Sequence, residues 1–319
     1  MSTITKDINL ALTNLQQGNI VAIPTETVYG LAANAENEQA IHKIFAMKNR
    51  PLNHPLIMHV LDDWDLTQWV SFIPEYAQQL IKKFWPGPLT LVLQTKAGKV
   101  NPLVTGGQNT VALRCPKHPI AQQLLAEAGF PLVAPSANPF GKISPTTAQH
   151  VQHSFKNEDL LILDGGRCQV GIESTIVSAI YPEGYEILRP GLINESHLAS
   201  LLPGRNYKRA SDIRVPGKLE SHYQPEKTLY CFNDIQAIHD FIAQKTHDSV
   251  FVLTFTALAE QGFKFYYHLP NSPQQAAFEL YYQLREADQS LASCIAIELP
   301  PDEDLWQGVR ERILKAGNL

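Results

Sequence analysis

Apolar positions along this chain switch between helical and extended spacing. Ile8, Ala11, Leu12 and Leu15 recur every three or four residues and Gly18 follows as a stop, which predicts a helix. The apolar run Ile20–Ile23 predicts a short buried strand. Ile41, Ile44, Phe45 and Lys48 suit a helix ending near Asn49, because the residue before Pro51 is pushed out of helical geometry. Leu56–Val60 predicts a strand, and Ala77–Trp85 a helix closed by Pro86-Gly87-Pro88. Further strands are predicted at Leu89–Leu93, Thr110–Leu113 and Leu132–Ala134. A helix over Thr146–Ser154, opened by Ser144-Pro145, precedes strands at Leu160–Leu163, Ser174–Ile180 and Tyr185–Leu188.

Beyond this strand-rich segment the pattern simplifies. Strands at Leu229–Phe232, Val250–Phe255 and Cys294–Leu299 alternate with helices at Ile235–Ala243, Pro273–Asp288 and Asp302–Lys315. That order predicts a small β-α-β domain with a mainly parallel sheet. Between the two lies a stretch holding Pro203, Gly204, Pro216, Gly217 and Pro225. The predicted division is therefore 1–202, a 203–227 linker, and 228–319, in an α/β fold class.

Charge sharpens this division. The whole chain is at −5, but residues 203–227 carry 6 Lys+Arg against 3 Asp+Glu, whereas 228–319 carry 6 against 12. The linker is thus the basic stretch. The acidic total speaks against a general nucleic-acid binder, and the first domain lacks the interleaved basic and aromatic residues of a single-strand binder. With 44% hydrophobic and only 18% charged residues, the chain can bury a core. No apolar run approaches the roughly 18 residues of a membrane span. The N-terminus does not read as a secretory leader. Cys115, Cys168, Cys231 and Cys294 form no C-x-x-C pair, so no metal site is expected and a reducing cytoplasm is.

Four stretches carry candidate chemistry. Pro24–Gly30 places hydroxyls and a glycine at a strand end, suited to a polar ligand or to a turn with satisfied threonines. Met47–Leu56 places Lys48, Arg50 and His54 in a proline-bounded loop, fit either to neutralise a triphosphate or to cap a helix dipole. Pro135–Gly141 offers Ser136 and Asn138, and Ser144-Pro145-Thr146-Thr147 reads as an anion-binding helix start or an ordinary N-cap. Arg114, Glu173-Ser174-Thr175 and Arg189 sit at strand ends, where α/β sheets usually bind ligands. No G-x-x-x-x-G-K-[ST], G-x-S-x-G or H-E-x-x-H pattern occurs, which excludes a P-loop and counts against the common serine hydrolases and zinc proteases.

Taken in order, PTETVYGLAANA, KNRPLNHPLIMHV, FWPGPLTLVL, VALRCPKHP, LVAPSANPFGKISPTTAQHV, ESTIV and ILRPG resemble the YrdC family of threonylcarbamoyl-AMP synthases. VPGKLESHYQP resembles the interdomain loop of its long form, and LYYQLREAD with WQGVRERILKAG the C-terminal domain. The resemblance is strongest over residues 20–191. Ala32 departs from a usual glycine, and His54 from a usual Asn or Asp.

The resemblance implies a twisted α/β sheet around a deep cleft, plus a smaller Rossmann-like domain. It implies that L-threonine and bicarbonate give a carbamate, whose oxygen attacks the α-phosphorus of ATP. The products would be threonylcarbamoyl-AMP and pyrophosphate, with Mg²⁺ assisting. A downstream transferase would pass the group to tRNA, so no direct nucleic-acid binding is needed. Lys48 and Arg50 would be catalytic. By analogy they would hold ATP with His54, Thr110, Ser136, Asn138, Ser144, Arg189 and Tyr223. Thr27, His59, Arg114, Ala134 and Ser174 would hold threonine. The linker, with His222 and Tyr223, would cover the pocket. The competing readings are an RNA-binding or ribosome-maturation module, and a carbamoyltransferase acting on another amine.

Overall fold

The computed structural model describes residues 1–206, 212–217, 222–245, 249–258 and 263–317. Among them, ten strands form one mixed sheet. These are β1 (Thr3–Thr5), β2 (Val21–Ile23), β3 (Gly30–Asn34), β4 (Ile57–His59), β5 (Leu89–Gln94), β6 (Thr110–Arg114), β7 (Leu132–Val133), β8 (Leu161–Leu163), β9 (Thr175–Ser178) and β10 (Glu186–Arg189). They lie in the order β1-β8-β2-β3-β7-β4-β6-β5-β9-β10. The helices of this unit are α1 (Ile8–Gln16), α2 (Glu38–Lys48), α3 (Glu75–Phe84), α4 (Pro102–Thr105), α5 (Pro119–Ala128), α6 (Ala148–Ser154) and α7 (Glu195–Leu201).

Side-chain alternation explains why the central strands read as unbroken apolar runs. Ala22, Leu31 and Ala33 enter one core cluster with Ile41 and Ile44 of α2. Val21, Ile23 and Ala32 point the other way, into a cluster with Ala11 and Leu15 of α1 and Leu124 and Leu125 of α5. A sheet covered on both faces needs apolar residues at every position.

A second, fully parallel sheet contains β11 (Thr228–Phe232), β12 (Val250–Thr254), β13 (Tyr266–His268) and β14 (Cys294–Glu298), ordered β11-β14-β12-β13. Helices α8 (Ile235–Ala243), α9 (Pro273–Gln289) and α10 (Gln307–Ala316) pack with it. Among the described residues no helix is long and apolar enough to cross a membrane, and all four cysteines are free thiols.

Several elements differ from the sequence expectation. Strand β3 is built from Gly-Leu-Ala-Ala-Asn, small residues with little extended preference; its pairing with β2 and β7 makes it a strand. Helices α5 and α7 were not predicted. The first starts at Pro119, with the His118 side chain accepting from the Ile120 amide. Ser144 does not open the following helix. That helix begins at Ala148 with Thr147 as its N-cap, and the Ser144 hydroxyl donates to the Glu173 carboxylate at 2.5 Å. As an N-cap the hydroxyl would accept from a helix amide; here it donates to a buried carboxylate, a charge-assisted hydrogen bond. Ala32 is extended and paired with Val21, and it is not among the positive-φ residues, so no glycine is required there.

The two units share a core: Val28, Ile143 and Ile172 pack with Leu280, Leu284 and Ile313 of the second unit. Arg167 reaches from the first unit to the Phe278 ring at 3.7 Å and pairs with Glu279 at 3.0 Å. Arg285 on α9 donates back to the Ile143 carbonyl at 2.5 Å and the Ser154 hydroxyl at 3.2 Å. The backbones come close at Gly171, whose φ is +86° and where a Cβ would lie 2.3 Å from the Ala277 carbonyl oxygen. Both the left-handed backbone and the contact exclude a side chain. Gly171→Ala is expected to destabilise the protein by at least about 2 kcal/mol. Thermal melting would show this, and an unchanged melting curve would count against the rigid contact.

Candidate active site

The ends of α2, β3, β4, β6, β9 and β10 converge on one cleft. Helix α2 delivers Lys48 at its last turn, and Asn49 ends the helix in the left-handed conformation (φ +51°). That reversal brings Arg50 back beside Lys48. The two cations therefore share a wall because one helix stops between them.

Lys48 is 2% exposed and its ammonium donates to the carbonyls of Ser136 and Asn138. Arg50 donates to the Pro55 carbonyl at 2.8 Å, lies 5.5 Å from the Phe140 ring centroid, and keeps a buried Nε without a hydrogen-bond partner. Arg189 crosses from β10, donating to the Ser174 carbonyl at 2.9 Å and the Ser174 hydroxyl at 3.2 Å. Its NH1 also donates to the Pro216 carbonyl at 3.1 Å. Loss of hydration lowers the proton affinity of all three: Lys48 falls well below its usual range, further depressed by Arg50, and Arg50 falls to about 10. Asn138 Oδ1, His222 Nδ1 and the Tyr223 hydroxyl are likewise buried without a partner. Buried polar groups are normally paired, so such a cluster marks a place for a polar ligand.

The other end of the cleft is organised differently. Arg114 pairs with Glu26 at 2.7 Å and donates to the Thr27 hydroxyl at 2.9 Å and the Gly87 carbonyl at 3.3 Å. His59 lies on neighbouring β4; burial, reinforced by Arg114, drops its pKa to about 3, so the ring is neutral. The Ser174 hydroxyl shares a 2.7 Å hydrogen bond with Thr90.

Residues between β10 and β11 also reach this cleft. Pro216, Gly217, His222 and Tyr223 line it. Tyr223 holds φ at +64°, uncommon for a bulky residue. Its ring is fixed by His222 at 4.2 Å, by Tyr281 at 5.8 Å and by the Arg312 guanidinium at 5.2 Å. Gly217 (φ +81°) leaves room for it, since a Cβ there would lie 2.3 Å from the Tyr223 hydroxyl.

Eleven of the residues named from the sequence line the cleft together: Lys48, Arg50, Ser136, Asn138, Arg189, Tyr223, Thr27, His59, Arg114, Ala134 and Ser174. His54, Thr110 and Ser144 are not among its lining residues. His54 meets the outer side of Phe140 edge-on at 5.2 Å, Thr110 is buried at the start of β6 opposite Gln94, and Ser144 is turned onto Glu173. Thr25, Phe140 and Glu173 also line the cleft, and sequence reasoning gave none of them a ligand role, although Glu173 stood among the strand-end candidates. Each stood within a quoted motif, and only the fold showed which side faces inward.

Among the described lining residues no hydroxyl hydrogen-bonds a histidine, so no assembled nucleophile–base pair is present. A cleft that gathers buried cations beside unpartnered polar atoms is built to hold charged reactants. Two family models span the chain: one described as Telomere recombination over residues 13–191, and one described as Threonylcarbamoyl-AMP synthase, C-terminal domain, over residues 192–318. The chain belongs to the threonylcarbamoyl-AMP synthase family.

Relatives agree along its length. A Bacillus subtilis protein named threonylcarbamoyl-AMP synthase is 36% identical, covering 99% of this chain and 94% of its own. A Schizosaccharomyces pombe protein of the same name is 32% identical over 94% of this chain and 85% of its own. The crystal structure of Pyrococcus abyssi Sua5 complexed with L-threonine superposes with a TM-score of 0.88 at 33% identity, covering 99% of this chain and 97% of that one.

Acid is expected to weaken this architecture. His59, His150 and His222 are held neutral by burial, each at about 3 against an ordinary 6.5. Between those values the unfolded chain binds more protons, so stability falls as pH drops below about 6.5. Melting temperature measured from pH 7 to pH 5 should decline steadily. A flat profile would contradict neutral burial of these rings.

Proposed function

We propose that this chain makes threonylcarbamoyl-AMP from L-threonine, bicarbonate and ATP. Threonine's amine and bicarbonate condense to a carbamate with loss of water. A carbamate oxygen then attacks the α-phosphorus of ATP, and pyrophosphate leaves. The observation that carries this reading is the buried trio Lys48, Arg50 and Arg189, gathered where unpartnered polar atoms also face the cleft. Nucleophile and electrophile are both anionic, and fixed cations offset their repulsion. No protein nucleophile is required, so positioning and electrostatics suffice.

In this proposal Lys48 and Arg50 are the catalytic residues, and with Arg189, Ser136, Asn138 and Tyr223 they hold ATP. Thr27, His59, Arg114, Ala134 and Ser174 form the threonine end. Arg114 is held in place by Glu26, Thr27 and the Gly87 carbonyl, and a threonine carboxylate would share its guanidinium with them. Among the described residues no group of three or more His, Cys, Asp and Glu could hold a metal ion. Magnesium would therefore arrive with the triphosphate and lower its charge. We divide the chain into a catalytic domain at 1–202, a linker at 203–227 and a C-terminal domain at 228–319. The linker acts as a cover, because the mixed anhydride product is readily hydrolysed and water must be kept out. The product would pass to a transferase acting on tRNA in the cytoplasm.

The test is pyrophosphate release with ATP and Mg²⁺, leaving out threonine and bicarbonate in turn. Release is expected only when all three reactants are present. Release that is indifferent to the amino acid would overturn the reading, and equal turnover with serine would widen the substrate class. Lys48→Ala and Arg50→Ala are each expected to lower release by about 10²–10³-fold. Both variants should melt no lower than the parent, since each removes one of several buried like charges. Near-normal activity in either would remove it from the mechanism. Tyr223→Ala should increase the share of product lost to hydrolysis; unchanged turnover and product yield would argue against a cover.

A further inference from the structure

We propose that Arg312, on α10 of the second unit, is a positioning residue for ATP that acts by neutralising Glu173 in the cleft wall. This rests on the reading of the cleft as an ATP site. Glu173 lines the cleft together with Lys48 and Arg189. Left uncompensated, its negative charge would cancel one of the cations that the triphosphate needs.

The contacts are those of a fully compensated carboxylate. Arg312 is 0% exposed and its Nε meets Glu173 Oε2 at 2.9 Å. The Tyr281 hydroxyl donates to the same oxygen at 3.0 Å, and the Ser144 hydroxyl donates to Oε1 at 2.5 Å. Burial alone would raise the Glu173 pKa, but Arg312, with Arg189 and Ser144, brings it down to about 2, so the group is ionised. The side chain facing the triphosphate wall is therefore an anion, and the cation that balances it comes from another part of the chain.

Arg312 is also tied to the backbone that carries the site. Its NH1 donates to the Pro190 carbonyl at 3.0 Å, one residue beyond Arg189. Its neighbour Glu311 pairs with Lys315 at 2.5 Å, and Lys315 donates to the Gly217 carbonyl at 2.6 Å in the linker. One turn of α10 thus supports both the wall of the cleft and the segment over it. A salt bridge that merely joined the two units would not need its carboxylate to face the cleft.

Charge compensation and simple adhesion predict different results for the double variant. MgATP binding is measured by titration calorimetry for the parent, R312M and E173Q/R312M, with L-threonine binding and thermal melting as controls. R312M is expected to weaken ATP binding at least tenfold while threonine affinity stays within threefold. E173Q/R312M, which removes both charges, should return ATP affinity to within threefold of the parent. ATP binding unchanged in R312M, or no better in the double variant, would overturn the proposal. If R312M fails to fold, the double variant decides: parent-like affinity supports compensation, and a tenfold loss overturns it. A parent that binds ATP but releases no pyrophosphate refutes the proposed reaction and leaves the Arg312 comparison standing. A parent that binds no ATP overturns both.

Discussion

Three cations held out of water in one cleft are the constraint on which the rest of this structure depends. Lys48, Arg50 and Arg189 each lose hydration on burial, and Lys48 is also repelled by Arg50. Such an arrangement costs stability until an anion arrives. The protein offsets part of the cost with carbonyl oxygens: those of Ser136 and Asn138 on Lys48, Pro55 on Arg50, and Ser174 and Pro216 on Arg189. Carbonyls stabilise a cation without neutralising it. The cleft therefore stays cationic, as the proposed triphosphate site requires.

The fold makes that tolerable by stiffness. The cations come from a helix end, a loop and a strand end that are each anchored in a sheet packed on both faces. Interiors packed this densely cannot relax by small shifts. The strain is therefore retained at the cleft, where Asn49 and Tyr223, the non-glycine residues with positive φ among those described, also lie close by.

The second unit contributes directly to this arrangement. Its core contains residues of the first, and its Arg312 and Tyr281 meet the cleft through Glu173. The two ends of the cleft are built differently. At one end cations face open space. At the other, Arg114 is already paired with Glu26. Such polarity suits two unlike ligands lying end to end, one highly charged and one carrying a single carboxylate.

Much of the fold was legible in the residue pattern, because a strand buried on both faces must be apolar throughout and an amphipathic helix must repeat at its own period. Val21–Ile23, Leu89–Gln94 and Pro273–Gln289 follow those rules. The residue types of the cleft were legible as well, since the polar signatures around Lys48, Ser136 and Arg114 interrupt apolar runs at a helix end and at strand ends. What the sequence could not decide was set by contacts between distant residues. Strand β3 exists because of its neighbours, not its composition. Ser144 serves a carboxylate 29 residues away rather than the helix beside it. Glu173 lines the cleft with Arg312, 139 residues further on, packed against it. Local preference acts through near neighbours along the chain, whereas the charge and orientation of a buried group depend on whatever the folded chain brings against it.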